Sequence, residues 1–127
     1  MTIRNILLVA FGGALGSTFR FLVSKLLQGR VNTDFPVGTM AVNLIGCLLI
    51  GLFYGLSERT GLISAEWRLF LIVGICGGFT TFSTFMNDSL QLLSADRILF
   101  AALYTAGSVF IGLLSVFVGM QLTRLLP

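Results

Sequence analysis

Gly77-Gly78-Phe79-Thr80-Thr81-Phe82-Ser83-Thr84-Phe85 sets two glycines, four hydroxyl side chains and a phenylalanine at every third position in the middle of an apolar run. Just upstream, Leu69-Phe70-Leu71-Ile72-Val73-Gly74-Ile75-Cys76 has the composition of a membrane-spanning helix. A backbone carbonyl or N–H left unpaired in hydrocarbon costs several kcal/mol, so a helix interrupted at that depth must be buried in protein or face a polar cavity. The stretch therefore predicts an all-α membrane protein whose third helix is broken near Gly77 to Thr80, with an ion site or a pore at the break.

The rest of the chain agrees on the solvent. Hydrophobic residues make up 56% and charged residues only 10%, and the mean hydropathy is +0.99, which places the chain in a bilayer. Its 127 residues accommodate four helices of roughly 20 to 25 residues, so residues 1–127 read as a single four-helix transmembrane domain. The first span runs from about Ile3 to Leu27, capped by Thr2 and closed by Gln28-Gly29. It is too long for the apolar core of a secretory signal and carries Arg20, which fits a multi-pass protein of a bacterial inner membrane. The second span covers Val37 to Leu56, with Asp34 as a candidate cap, Pro36 suited to a first turn, and Ser57 to Gly61 as the next loop. Ser64 caps a third span that reaches Leu93, and Ser94-Ala95-Asp96-Arg97 repeats the capping arrangement before a fourth span that ends near Arg124.

Several function classes fall away. The eight basic residues and the net charge of +3 are scattered rather than gathered in a stripe, so no nucleic-acid partner is expected. Cys47 and Cys76 lie in apolar stretches without metal-ligand spacing, and there is no histidine, which argues against zinc, structural disulfides and enzymatic chemistry. Membrane lipid is the expected surrounding. With an even number of spans, Arg4, Arg59, Arg68 and Arg124 fall on the side of the termini, and Lys25, Arg30 and Arg97 on the other. So small a bias predicts insertion in both orientations and an antiparallel dual-topology homodimer; a single orientation is the alternative. Gly12/Gly16 and Gly51/Gly55 form small faces for close helix approach, either between copies or within one chain.

Polar residues at membrane depth each need a reason. They are Arg20 in the first span, Thr39 and Asn43 in the second, Thr80, Thr81, Ser83 and Thr84 in the third, and Tyr104, Thr105, Ser108 and Ser115 in the fourth. No Asp or Glu sits near the middle of a span, and Asp88, the nearest, lies toward the end of the third. Proton or cation transport normally uses an intramembrane carboxylate, whereas this chain offers donors. Thr39 and Asn43 are i, i+4 neighbours, Tyr104, Ser108 and Ser115 share an arc, and Phe82 and Phe85 are i, i+3 on one face. Intramembrane Ser and Thr commonly bond their own i−4 carbonyl; Asn43, with two donors and an acceptor, is the sharpest exception. Arg20 supplies a permanent charge reachable from one end, but a cation about 10 Å from an anion contributes only roughly 1.7 kcal/mol at an effective dielectric near 20. Hydroxyls, the Asn43 amide and the electropositive rims of aromatic rings must replace hydration, an arrangement that suits a small, hard anion.

At these residues the sequence resembles the Fluc/CrcB fluoride channel family. The matching elements are Gly-Ser-Thr-Phe-Arg at 16–20, Gly-Thr-Met-Ala-Val-Asn at 38–43, Gly-Gly-Phe-Thr-Thr-Phe-Ser-Thr-Phe at 77–85, and the Tyr104/Ser108 pair. The resemblance implies a passive fluoride channel, built as an antiparallel dual-topology homodimer with two pores that let fluoride leave the cytoplasm. It implies that Phe82 and Phe85 form aromatic boxes along the path, that Asn43 of the partner's second helix contributes donors, and that Ser83, Thr84, Tyr104 and Ser108 continue the polar route. Arg20 and Thr39 belong to the electropositive vestibule. Backbone carbonyls of Gly77 and Thr80 from both chains would enclose a central structural sodium ion, which also accounts for non-helical backbone without a carboxylate. Two positions depart from the pattern. Gly112 stands where some relatives extend the polar row with serine, leaving Ser115 or water for that task, and Met86 follows Phe85 without a physical account. Two alternatives remain: a proton-coupled small-cation exporter of the small multidrug resistance type, and a non-transporting membrane scaffold.

Overall fold

The computed structural model describes residues 1–126, apart from the side chain of Thr60. Among the described residues, four stretches are helical, long and apolar enough to cross a membrane, with mean hydropathies of 1.8, 1.9, 1.8 and 2.0, so the protein is a multi-pass membrane protein. Helix α1 (Ile3–Arg30) starts as the sequence predicts, with the Thr2 hydroxyl accepting the Asn5 N–H at 3.2 Å. It runs on through Gln28-Gly29 to Arg30, because the Gln28 side chain is occupied with the connection that follows rather than with ending the helix. Helix α2 (Val37–Thr60) likewise continues through the expected loop at Ser57 and stops only at Gly61, whose φ of 64° ends it in the left-handed region glycine tolerates.

Two expected caps are absent. Asp34 pairs with Arg97 at 3.4 Å instead of capping α2, whose N-cap position is Pro36. Ser94 is the last residue of its own helix; the chain turns at Asp96, with φ 57°, and the fourth span begins at Ile98 without a side-chain cap.

The third span is compound. It comprises α3 (Ala65–Arg68), a π-helical stretch (Leu69–Cys76), α4 (Gly77–Phe79), two extended residues, and α5 (Phe82–Ser94). Ser64 caps it as expected, accepting the Trp67 N–H at 3.3 Å. The break lies at Thr80 and Thr81, with φ/ψ of −89°/159° and −151°/123°, and not at the glycines, which are helical. Gly78 serves packing: a Cβ there would lie 2.7 Å from the Gly13 carbonyl oxygen of α1. The interruption comes from hydroxyls competing with the helix ladder. Thr80 directs its hydroxyl back to the Cys76 carbonyl at 3.0 Å, and Thr81 caps α5 by accepting the Thr84 N–H at 3.2 Å.

Helix α1 packs on the π-helical stretch and α4, and α2 packs on α6 (Ile98–Thr123). Both small-residue faces are used inside the chain, the second alternative the sequence left open. Gly12 meets Phe70 and Gly74, and Gly51 meets Val116 and Gly119, which lets the backbones approach as close-packed membrane helices require. Polar contacts agree with the side assignments: Arg4 forms an ion pair with Glu66, and Arg59 donates to the Leu126 carbonyl at 3.2 Å, both at the end that holds the termini. Between 11% and 22% of each span is buried within the chain. Most helical surface therefore faces lipid or another protein.

Candidate functional site

At the break, the freed backbone groups find side-chain partners. Thr81 donates its N–H to Asn43 Oδ1 at 2.8 Å and accepts from Asn43 Nδ2 at 3.1 Å, so one amide replaces both missing ladder bonds. Arg20 of α1 donates from Nε to the Gly78 carbonyl at 3.0 Å. It places a cation at the C-terminal, electronegative end of the first half of the span. The Thr80 N–H bonds Cys76 at 3.0 Å. Among the described residues, no loop or cap hydrogen bond ends on the carbonyl oxygens of Gly77 or Thr80.

Beside the break is a groove of about 280 Å³ between α2, α5 and α6. Asn43 and Cys47 line it from α2, Thr80, Thr81, Phe82 and Phe85 from the third span, and Ser108 from α6. The Ser108 hydroxyl oxygen is buried and has no hydrogen-bond partner among the described residues. An unpaired buried hydroxyl costs free energy unless it serves something else. Phe82 is 72% exposed and Phe85 only 6%, and their rings meet edge to face at 6.0 Å and 65°. Phe85 in turn meets Tyr104 at 5.0 Å and 72°. Tyr104 is fully buried, with the Thr39 hydroxyl beside it, and its phenol donates to Asp88 Oδ2 at 3.1 Å. The groove and this aromatic file together offer hydroxyl donors and ring edges, and the carboxylate that reaches them, Asp88, is engaged by a phenol.

A sequence model of the family described as CrcB-like protein, Camphor Resistance (CrcB), matches residues 7–120. The chain belongs to the CrcB family. It is 44% identical over 121 residues to the fluoride-specific ion channel FluC of Flavobacterium psychrophilum, covering 95% of this chain and 98% of that one. A protein of the same name from Chlorobium phaeobacteroides is 48% identical over 120 residues, covering 94% and 93%. That of Thermus thermophilus is 47% identical over 122 residues, covering 96% and 95%. Membership of CrcB, a family whose relatives are named as channels, agrees with the expectation that the chain is not an enzyme.

The structure brings most of the residues marked by the family resemblance to one place. Asn43, Phe82, Phe85 and Ser108 line the groove, and Tyr104 and Thr39 stand at the end of its aromatic file. Asn43 already spends its carbonyl and one N–H on Thr81 of its own chain, which leaves one amide hydrogen for a ligand. Thr84 is half-buried and Ser83 exposed, both in the first turn of α5. Ser115 does not extend the polar row, because its hydroxyl donates to the Ile111 carbonyl at 2.7 Å. At Gly112, a Cβ would touch the Cys47 sulfur at 3.6 Å, so the thiol from α2 occupies the level where a serine would stand. Met86 is 40% exposed, and nothing within the chain explains it.

Three lining or supporting residues were passed over from sequence. Asp88 is one turn beyond Phe85 on α5 and Cys47 one turn beyond Asn43 on α2, and that i+3 or i+4 spacing was the available signal. Phe35, in the α1–α2 connection, carried no periodicity at all.

Proposed function

We propose that this CrcB-family chain forms a passive, fluoride-selective channel that lets fluoride leave the cytoplasm across a bacterial inner membrane. The observation that carries the reading is the buried hydroxyl of Ser108, unpartnered among the described residues, in a groove lined by Asn43, Phe82 and Phe85. Fluoride is small and hard, and stripping its water costs tens of kcal/mol in the idealised limit. Short, strong donors compensate best for a compact charge, and the candidates here are the second Asn43 N–H and the Ser108 hydroxyl in the groove and the Tyr104 phenol beside Phe85. Larger halides hold their water less tightly but fit such closely spaced donors less well. Arg20 and Thr39 bias the approach toward anions.

The working unit in this proposal is an antiparallel dual-topology homodimer with two pores. It is supported by the near-equal distribution of basic residues, by an open groove, and by a Phe82 ring that is 72% exposed in a single chain. A second copy would cover that ring and enclose the path. A structural sodium ion at the dimer centre fits the residues present: the Gly77 and Thr80 carbonyls are free of loop and cap hydrogen bonds, and hard cations accept backbone carbonyl ligands without a carboxylate. When bound, the ion supplies a fixed positive charge that ties the two breaks together. Fluoride efflux from liposomes containing Phe82→Ile or Asn43→Ala tests the site. Both substitutions should slow efflux strongly, and unchanged efflux with both would remove these residues from the path.

A further inference from the structure

Tyr104, in the second turn of α6, is fully buried, and a loop residue, Phe35, packs against its cluster together with Met40 and Phe100. The Phe35 ring lies against Tyr104 at 5.6 Å and 80°, as the Phe85 ring does at 5.0 Å and 72°. Phe35 is itself held in place more firmly than a connecting residue requires. Its carbonyl accepts from the Val37 N–H at 2.8 Å and from Gln28 Nε2 at 3.1 Å, and its N–H donates to the Thr33 hydroxyl at 3.1 Å. Gln28 closes the loop from both directions, because its Oε1 also accepts the Gly38 N–H at 3.0 Å. Phe100 also meets the Phe35 ring, at 5.5 Å and 87°, and Arg97 stacks on Phe100 at 4.7 Å while pairing with Asp34 at 3.4 Å.

The file of rings thus runs unbroken from the groove to the membrane surface, and Phe35 is the link supplied by neither α5 nor α6. A phenol can donate only along the directions its ring plane allows. The Tyr104 ring is held by edge-type contacts with Phe85 and Phe35, and its hydroxyl by Asp88.

We propose that Phe35 is a positioning residue of the anion path: it fixes the Tyr104 ring so that the phenol hydrogen can turn from Asp88 to a passing anion, and it keeps that end too narrow for larger halides. This rests on the fluoride-channel reading above. Phe35 touches no anion and acts through Tyr104.

The test is a double-mutant cycle of fluoride and chloride efflux on the full chain in liposomes, with wild type, Phe35→Leu, Tyr104→Phe and the double variant. Phe35→Leu, which keeps bulk but loses the ring, should slow fluoride efflux about fivefold or more and lower the fluoride-to-chloride ratio, with Phe35→Trp restoring both. In the Tyr104→Phe background the same change should have no further effect, because the group it positions has gone. Equal, additive losses in the two backgrounds, or an unchanged ratio in folded Phe35→Leu protein, would overturn the inference. Should Phe35→Leu fail to fold, Gln28→Ala removes the anchor instead and carries the same expected loss of ratio. Absence of fluoride efflux from the wild type would instead sink the channel reading, so the two failures are distinct.

Discussion

Ser108 separates function from stability more cleanly than any other residue in the groove. Its hydroxyl is buried and unpartnered among the described residues, so removing it relieves a desolvation cost and breaks no protein hydrogen bond. Ser108→Ala should therefore leave the melting temperature unchanged or raised, while fluoride efflux falls about tenfold, the equivalent of one lost hydrogen bond of about 1.4 kcal/mol. Asn43 behaves oppositely. Truncation to alanine strands the Thr81 N–H and carbonyl, at about 1–3 kcal/mol for each buried group, so Asn43→Ala should lower both the melting temperature and the efflux. The importance of Asn43 was legible in the sequence, because an amide at membrane depth must be satisfied by something. Its partner was not: a bond across 38 residues leaves no local pattern. Asp88 was set aside for lying toward the end of its span, and that position is what brings it to Tyr104.

Among the elements, the third span shows where sequence reasoning reached and where it stopped. That a helix is interrupted there followed from composition, but within and beside the expected Gly77 to Thr80 stretch the extended residues are Thr80 and Thr81 and not the glycines. In a soluble helix two glycines would weaken the ladder; in a membrane they let another backbone approach. Gly78 does this against Gly13, whereas a Cβ at Gly77 would find its nearest atom 3.8 Å away. Gly78→Ala should cost about 1–3 kcal/mol through overpacking, and Gly77→Ala should be tolerated in the monomer fold, as thermal unfolding in detergent would record. The π-helical stretch had no sequence signal, since its uniformly apolar run suits any helical register. Caps were legible at Thr2 and Ser64, where the hydroxyl precedes a clean helix start, and misread at Asp34 and Ser94, where a better partner or the preceding helix claimed the residue.

For the whole molecule, four spans and their order were readable because hydropathy depends only on local composition. The packing partners were not, and the glycine faces suited contacts within or between chains equally until the structure placed them within. The groove side of α2, α5 and α6 stays open within the chain, and Phe82 is exposed there. Selective, passive movement of fluoride is tested by efflux from liposomes loaded with potassium fluoride or potassium chloride. Valinomycin added to such liposomes releases the electrical constraint, and ion electrodes follow both anions. Rapid fluoride efflux without an imposed proton gradient, with chloride retained, is the predicted result. Retention of fluoride by liposomes that hold folded protein, or equal loss of both anions, would contradict it.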